Sequence, residues 1–166
     1  MARNNPVSRL RSIAIVVLEF LGAFSSELEK DGISTWCYER AAKLGSSKAK
    51  NELGCRYLQG RGVERNQNMA FELWHEGAID EYPFAQANLA WAYQNGIGTN
   101  VNLEAAYSWY ARAAAGGHLE SLYNVGLMYA DGIGISKDKI KAAECLTEAA
   151  ARGITQAREA LIRLNG

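Results

Sequence analysis

Residues 85–117, AQANLAWAYQNGIGTNVNLEAAYSWYARAAAGG, decide the fold, because they are one complete copy of a unit that the chain repeats. The first half reads as a helix ending at Asn95, the middle as a Gly96-Ile97-Gly98 turn, and the second half as a helix from about Leu103 to Ala115. Moving back by 36 residues returns Tyr57 for Tyr93, Gly60 and Gly62 for Gly96 and Gly98, Ala70 for Ala106 and Ala78 for Ala114. Moving forward by 36 returns Tyr129, Gly132, Gly134, Ala142 and Ala150. A fixed period of this length is the mark of stacked helical or sheet units that share one core.

Each copy has a physical reading. Leu53, Leu89 and Val125 stand four residues before Tyr57, Tyr93 and Tyr129, which puts each pair on one helical face. Gly54, Ala90 and Gly126 follow the aliphatic position. A mid-helix glycine costs about 1 kcal/mol of helix propensity, so its use there marks the close approach of another helix. The Gly-x-Gly segments then end the first helix through the left-handed backbone that glycine accepts. In the second helix Ala70, Ala106 and Ala142 alternate with Trp74, Tyr110 and Leu146, small against large.

The run A-x-x-x-L-G-x-x-Y-x-x-G-x-G-V, followed by A-x-x-x-W-x-x-G-A and by Ala85, resembles the Sel1-like repeat family, relatives of the tetratricopeptide repeats with longer loops. The resemblance implies an all-α, right-handed α-α superhelix, a solenoid of antiparallel helix pairs. It divides the chain into an N-terminal capping helix region at 1–33, the second helix of a partial repeat at 34–48, full repeats at 49–84, 85–120 and 121–156, and a C-terminal capping helix at 157–166.

Composition sets further bounds. The 166 residues are 48% apolar, enough for a continuous core between stacked units. Eighteen basic residues balance eighteen acidic ones, whereas a nucleic-acid-binding surface carries a basic excess or stripe. Arg3, Arg9 and Arg11 ahead of the apolar run at 13–18 sketch an export signal, but Glu19 interrupts it and the run is shorter than about 7–15 residues. The competing reading, adopted here, is an amphipathic capping helix that packs Leu10, Ile13, Val17, Leu21, Phe24 and Leu28 on the first repeat. No stretch reaches the roughly 20 consecutive apolar residues of a spanning helix. The expected location is cytoplasmic, with periplasmic or secreted as the alternative.

Candidate chemistry is sparse. Gly132-Ile133-Gly134 with Lys137 and Lys139 invites a phosphate-loop reading, but the motif occurs three times and follows helices rather than a strand. Cys37, Cys55 and Cys145 have no C-x-x-C spacing, and Cys37 and Cys145 share a repeat slot with the apolar Leu73 and Trp109, so both cysteines read as buried small hydrophobes. The cysteine pair per repeat found in some secreted members of the resembled family is absent. His75 and His118 have no partner at ligand spacing, and neither lies in a nucleophile constellation. The expectation is no enzyme, no cofactor and no metal.

What remains is surface. The resemblance implies that the first helices line a concave binding groove. Positions turned from the Leu-Gly-Tyr face, at two and one before the aliphatic residue, two after it and the pair after the tyrosine, mark Asn51, Gln59, Asn88, Trp91, Gln94, Asn95, Tyr123, Asn124 and Leu127 as protein-binding residues. Amides bond an extended backbone and Trp or Tyr bury large area with few torsions. The expected function is a non-catalytic module or adaptor, of bacterial type, binding a protein or peptide. An immunity protein that neutralises a bacterial toxin and a β-lactamase-like hydrolase are the alternatives.

Overall fold

Gly60, Gly96 and Gly132 have φ of 73°, 70° and 75°, and the N–H of each bonds the carbonyl four residues back, at Arg56, Ala92 and Met128. Thus three helices stop at the same repeat position by the same device. The next helix begins at Asn66, Asn102 and Asp138, whose side chains accept N–H bonds from the first turn. The N–H groups of these capping residues reach the carbonyls of Tyr57, Tyr93 and Tyr129, at 2.8, 2.9 and 2.9 Å. The three tyrosines therefore occupy equivalent places in successive pairs.

The computed structural model describes residues 6–27 and 31–165. Among them lie nine α-helices and no strand: α1 (Pro6–Glu27), α2 (Asp31–Lys43), α3 (Ser47–Gln59), α4 (Gln67–Ile79), α5 (Pro83–Asn95), α6 (Leu103–Ala115), α7 (Leu119–Asp131), α8 (Lys139–Ala151) and α9 (Thr155–Asn165). They form two compact units, one ending at Asp80 and one starting at Glu81. Pro83 is the first residue of α5, a position where proline's missing N–H costs nothing.

In the first unit α1 pairs with α2 and α3 with α4, and α3 also packs on α2. Tyr38, Ala41, Ala49 and Leu53 form the core, with Leu18, Tyr57 and Leu73 against it. The small residues act as expected: a Cβ on Gly54 would stand 2.6 Å from Nε1 of Trp74, and one on Gly22 would stand 3.0 Å from the Tyr38 ring. Gly22 thus repeats the part of Gly54, and α1–α2 is itself a degenerate helix pair. In the second unit α5–α6 and α7–α8 pair, α7 also packs on α6, and α9 closes on α8. Ala90, Ala106, Tyr110, Val125 and Met128 form one cluster, and Leu146, Ala149, Ala157 and Ala160 another.

The second glycine of each turn has a different task. A Cβ on Gly62 would meet the Asp31 carbonyl oxygen at 2.4 Å, and one on Gly134 the Leu103 carbonyl oxygen at 2.0 Å. In each unit the turn of one pair is pressed onto the N-terminus of the preceding second helix.

The facing expected for α1 is reversed. Leu10, Ile13, Val17, Leu21 and Phe24 are 67, 60, 49, 42 and 51% exposed, and Leu28 lies outside the described residues. The side that packs carries Leu18, Gly22 and buried Ser25, with Ala14 and Ile15 half-buried. Small residues won over large ones because α2 presents Tyr38, which needs a backbone without side chains beneath it.

Candidate protein-binding face

Helix α5 places four of the expected residues on one side. Asn88, Trp91, Gln94 and Asn95 are spaced three or four apart, neighbours on a helix surface. Trp91 is 37% exposed. Gln94 and Asn95 are exposed, and Asn88 is half-buried. Asn95 Nδ2 donates to the Trp91 carbonyl at 2.8 Å, and Gln94 Oε1 accepts from the Tyr110 hydroxyl at 3.1 Å. That hydroxyl is pushed up to about 12 by burial, so it stays protonated as a fixed donor that orients Gln94. The result is an exposed indole among amides whose rotamers are partly held by the core.

On α7, Tyr123, Asn124 and Leu127 are half-buried. Tyr123 and Leu127 lean on the cluster that includes α9, so much of their apolar surface is already covered. Below Leu127 a cavity of about 260 Å³ opens, with Leu146 and Leu164 in its walls and Lys137, Lys139 and Arg163 as cations at its lining. In the sequence Lys137 and Lys139 suggest only a phosphate loop, and nothing there sets Arg163 beside them.

On α3, Gln59 is exposed, but Asn51 is only 5% exposed and is not presented to a partner. Its carbonyl accepts from Trp74 Nε1 at 3.3 Å and its amide donates to Glu52 at 3.3 Å. The equivalent Ala87 is also buried. The cause is general: α3 packs on α2 as well as α4, so the buried arc of a first helix is wider than its Leu-Gly-Tyr face.

The repeat slot of Ala92 and Met128 is core, and in the first copy it holds Arg56, 5% exposed. Its guanidinium donates to the Asp31 carboxylate at 3.2 Å, the Asp31 carbonyl at 3.3 Å, Thr35 Oγ1 at 3.2 Å and Ser34 Oγ, and lies 5.4 Å from the Tyr38 ring centre. The arrangement ties α3 to the start of α2 and is structural.

Other titratable groups carry no such cluster. Burial raises the Cys37 thiol, and burial followed by Glu144 and Glu148 raises that of Cys145, which disfavours reactive thiolates. His75 stacks on Phe71 at 6.1 Å. His118 caps α7, its Nδ1 accepting from the Ser121 N–H at 3.2 Å. Among the described residues no group of three or more His, Cys, Asp or Glu is placed to hold a metal ion.

The Sel1 repeat family matches residues 34–46, 47–79, 83–118 and 119–154, most of the chain. The chain belongs to the Sel1 repeat family. Its fold is all-α, built of antiparallel helix pairs as in the Sel1-like solenoids. A Sel1 repeat protein from Oxalobacter formigenes is 37% identical, with TM-score 0.71, over 76% of this chain and 95% of that one. The protective antigen c5321 of uropathogenic Escherichia coli, described as an SLR fold, has TM-score 0.84 at 24% identity over 89% of this chain and 32% of that one, a likeness of fold alone. Protein sel-1 homolog 2 of Mus musculus is 35% identical over 78 residues, 46% of this chain, and the chitin synthase regulator SKT5 of Saccharomyces cerevisiae 36% identical over 84 residues, 49% of this chain. This Sel1 repeat chain spans 11% and 12% of the lengths of those two relatives. Sel1 repeat proteins are generally protein-interaction modules and typically non-enzymatic scaffolds.

Proposed function

We propose that this Sel1 repeat chain is a non-catalytic binding module that holds an extended segment of another protein against the exposed side of α5. The observation that carries the reading is Trp91, an exposed indole flanked by Asn88, Gln94 and Asn95. An indole supplies buried area at low torsional cost, and amides satisfy the N–H and C=O groups of an extended backbone. Asn124 and the exposed parts of Tyr123 and Leu127 extend the same chemistry on α7, and the cations near Leu127 favour a segment with an apolar side chain and an acidic neighbour.

The test is affinity capture with the native chain and with Trp91→Ala plus Asn124→Ala, followed by measured affinity for each recovered partner. Loss of about 2 kcal/mol or more is expected, the scale of a hot-spot aromatic. Identical partners bound with undiminished strength would remove the assignment.

A further inference from the structure

Helix α1 is apolar on two opposite sides, and only one of them is covered. The covered side holds Leu18, Gly22 and Ser25 against α2. The other holds Val7, Leu10, Ile13, Val16, Val17, Phe20, Leu21 and Phe24, between 42% and 68% exposed, with Phe20 and Phe24 stacked at 6.3 Å. Apolar residues on both sides of one helix call for cover on both. Eight such side chains present roughly 800 Å² of mainly apolar surface, above the largest patch of an ordinary monomer at about 300–600 Å² and equal to the roughly 800 Å² that each partner gives to a stable interface.

We infer that this outward face of α1 is the contact through which two copies of the chain form a symmetric dimer. A two-fold interface uses the same patch twice, so the patch must complement itself when reversed. This one does. Its first half is aliphatic, with Val7, Leu10 and Ile13, and its second half aromatic, with Phe20 and Phe24. Laid antiparallel with Val16 and Val17 at the two-fold axis, Ile13 meets Phe20 of the second copy and Leu10 meets Phe24, large against small along the whole length. Among the described residues the stripe carries one charge, Arg9, and no alternation of opposite charges that would select a different protein.

A lipid surface fits less well. Interfacial helices carry a strongly charged face beside the apolar one. Here the opposite side is packed on α2, Arg11 is turned to the Leu44 carbonyl at 2.6 Å, Glu19 bonds Ser46 and pairs with Lys48, Arg9 alone is a charge beside the stripe among the described residues, and the formal net charge is zero.

The experiment is light scattering of the full chain across micromolar concentrations, with Phe20→Glu and Val17→Cys as variants. The native chain is expected at twice the monomer mass. Phe20→Glu is expected at the monomer mass with unchanged helical circular dichroism, since Phe20 is 68% exposed and its stacking partner Phe24 is exposed as well. Val17→Cys is expected to cross-link as a dimer under mild oxidation where the native chain does not, and this variant decides the matter if Phe20→Glu misfolds. A native chain that stays monomeric overturns the inference, as does a dimer that survives Phe20→Glu. Sedimentation of a monomeric chain with mixed phosphatidylcholine and phosphatidylglycerol vesicles would replace it with a membrane contact.

Discussion

Removing the Arg56 guanidinium tests whether the buried cation holds the first unit together. Arg56 is 5% exposed and donates to five acceptors from α2 and the 60–62 turn. Taking one partner from a buried charge pair costs about 3–5 kcal/mol, because the other charge is left unmatched. Asp31 is 36% exposed and keeps Arg61 at 3.2 Å, so solvent and a second cation soften the loss. Arg56→Ala should therefore destabilise by about 3 kcal/mol, the low end of that range plus the lost packing of the stem. Arg56→Met places the residue of the Met128 slot there and should lose about 2 kcal/mol, since it fills the space but takes from the Ser34 and Thr35 hydroxyl oxygens the donor that they accept from. Urea titration gives the free energies, a constant slope checks that the unfolded surface is unchanged, and hydrogen exchange should place the loss in α2 and α3. Combining Arg56→Met with Asp31→Asn should recover part of the loss, the sign of true pairing. An Arg56→Met chain as stable as the native one would refute the argument and reduce the slot to simple apolar packing.

Three further outcomes follow from the same geometry. Gly54→Ala should lower stability by about 1–2 kcal/mol in urea titration despite alanine's better helix propensity, because the methyl collides with Trp74 Nε1 and disturbs its bond to Asn51; a stabilised variant would show that the helices do not meet there. His118 is lowered from its ordinary value by burial, so its capping contribution is complete above about pH 6.5 and is lost as pH falls through the lower folded value, where Nδ1 gains a proton and stops accepting from Ser121. His118→Ser, which places the residue type of Ser46 in that slot, should remove up to about 1 kcal/mol of acid sensitivity between pH 7 and 5, read as a flatter melting-temperature profile; parallel profiles would refute it. Asp80 is held below its ordinary value by Lys50 and then Ser47, so Asp80→Asn should lower the melting temperature at neutral pH, and the difference should close as acid protonates the native carboxyl; a gap that persists below about pH 3 would place the effect elsewhere.

Much of the fold was legible because each repeat position has one dominant physical demand. Gly96 must turn left-handed, Asn102 must cap, and Ala90 must be small, so a 36-residue shift carries those demands to other copies. The orientation of α1 was not legible from its large residues, which mark an apolar stripe without saying what covers it. Leu21-Gly22 was the available signal, masked because Ser25 stands where the other copies have tyrosine and no Gly-x-Gly turn follows. Asn51 failed as a surface residue because a helix sandwiched by two neighbours buries more than one face. Arg56 was missed because a charge in a core slot reads as an outward residue until Ala92 and Met128 are set beside it. The cations near Leu127 come from two separate segments, 137–139 and α9, which periodicity alone does not bring together.

Gly62 against Asp31 and Gly134 against Leu103 place the joint between neighbouring hairpins on main-chain atoms. The coupling is thus indifferent to most side chains on the outer surfaces. Evolution is free to rewrite what a given hairpin recognises on its outer side while leaving this joint untouched, and a hairpin grafted from another family member needs that bare turn as well as a matching core face to seat.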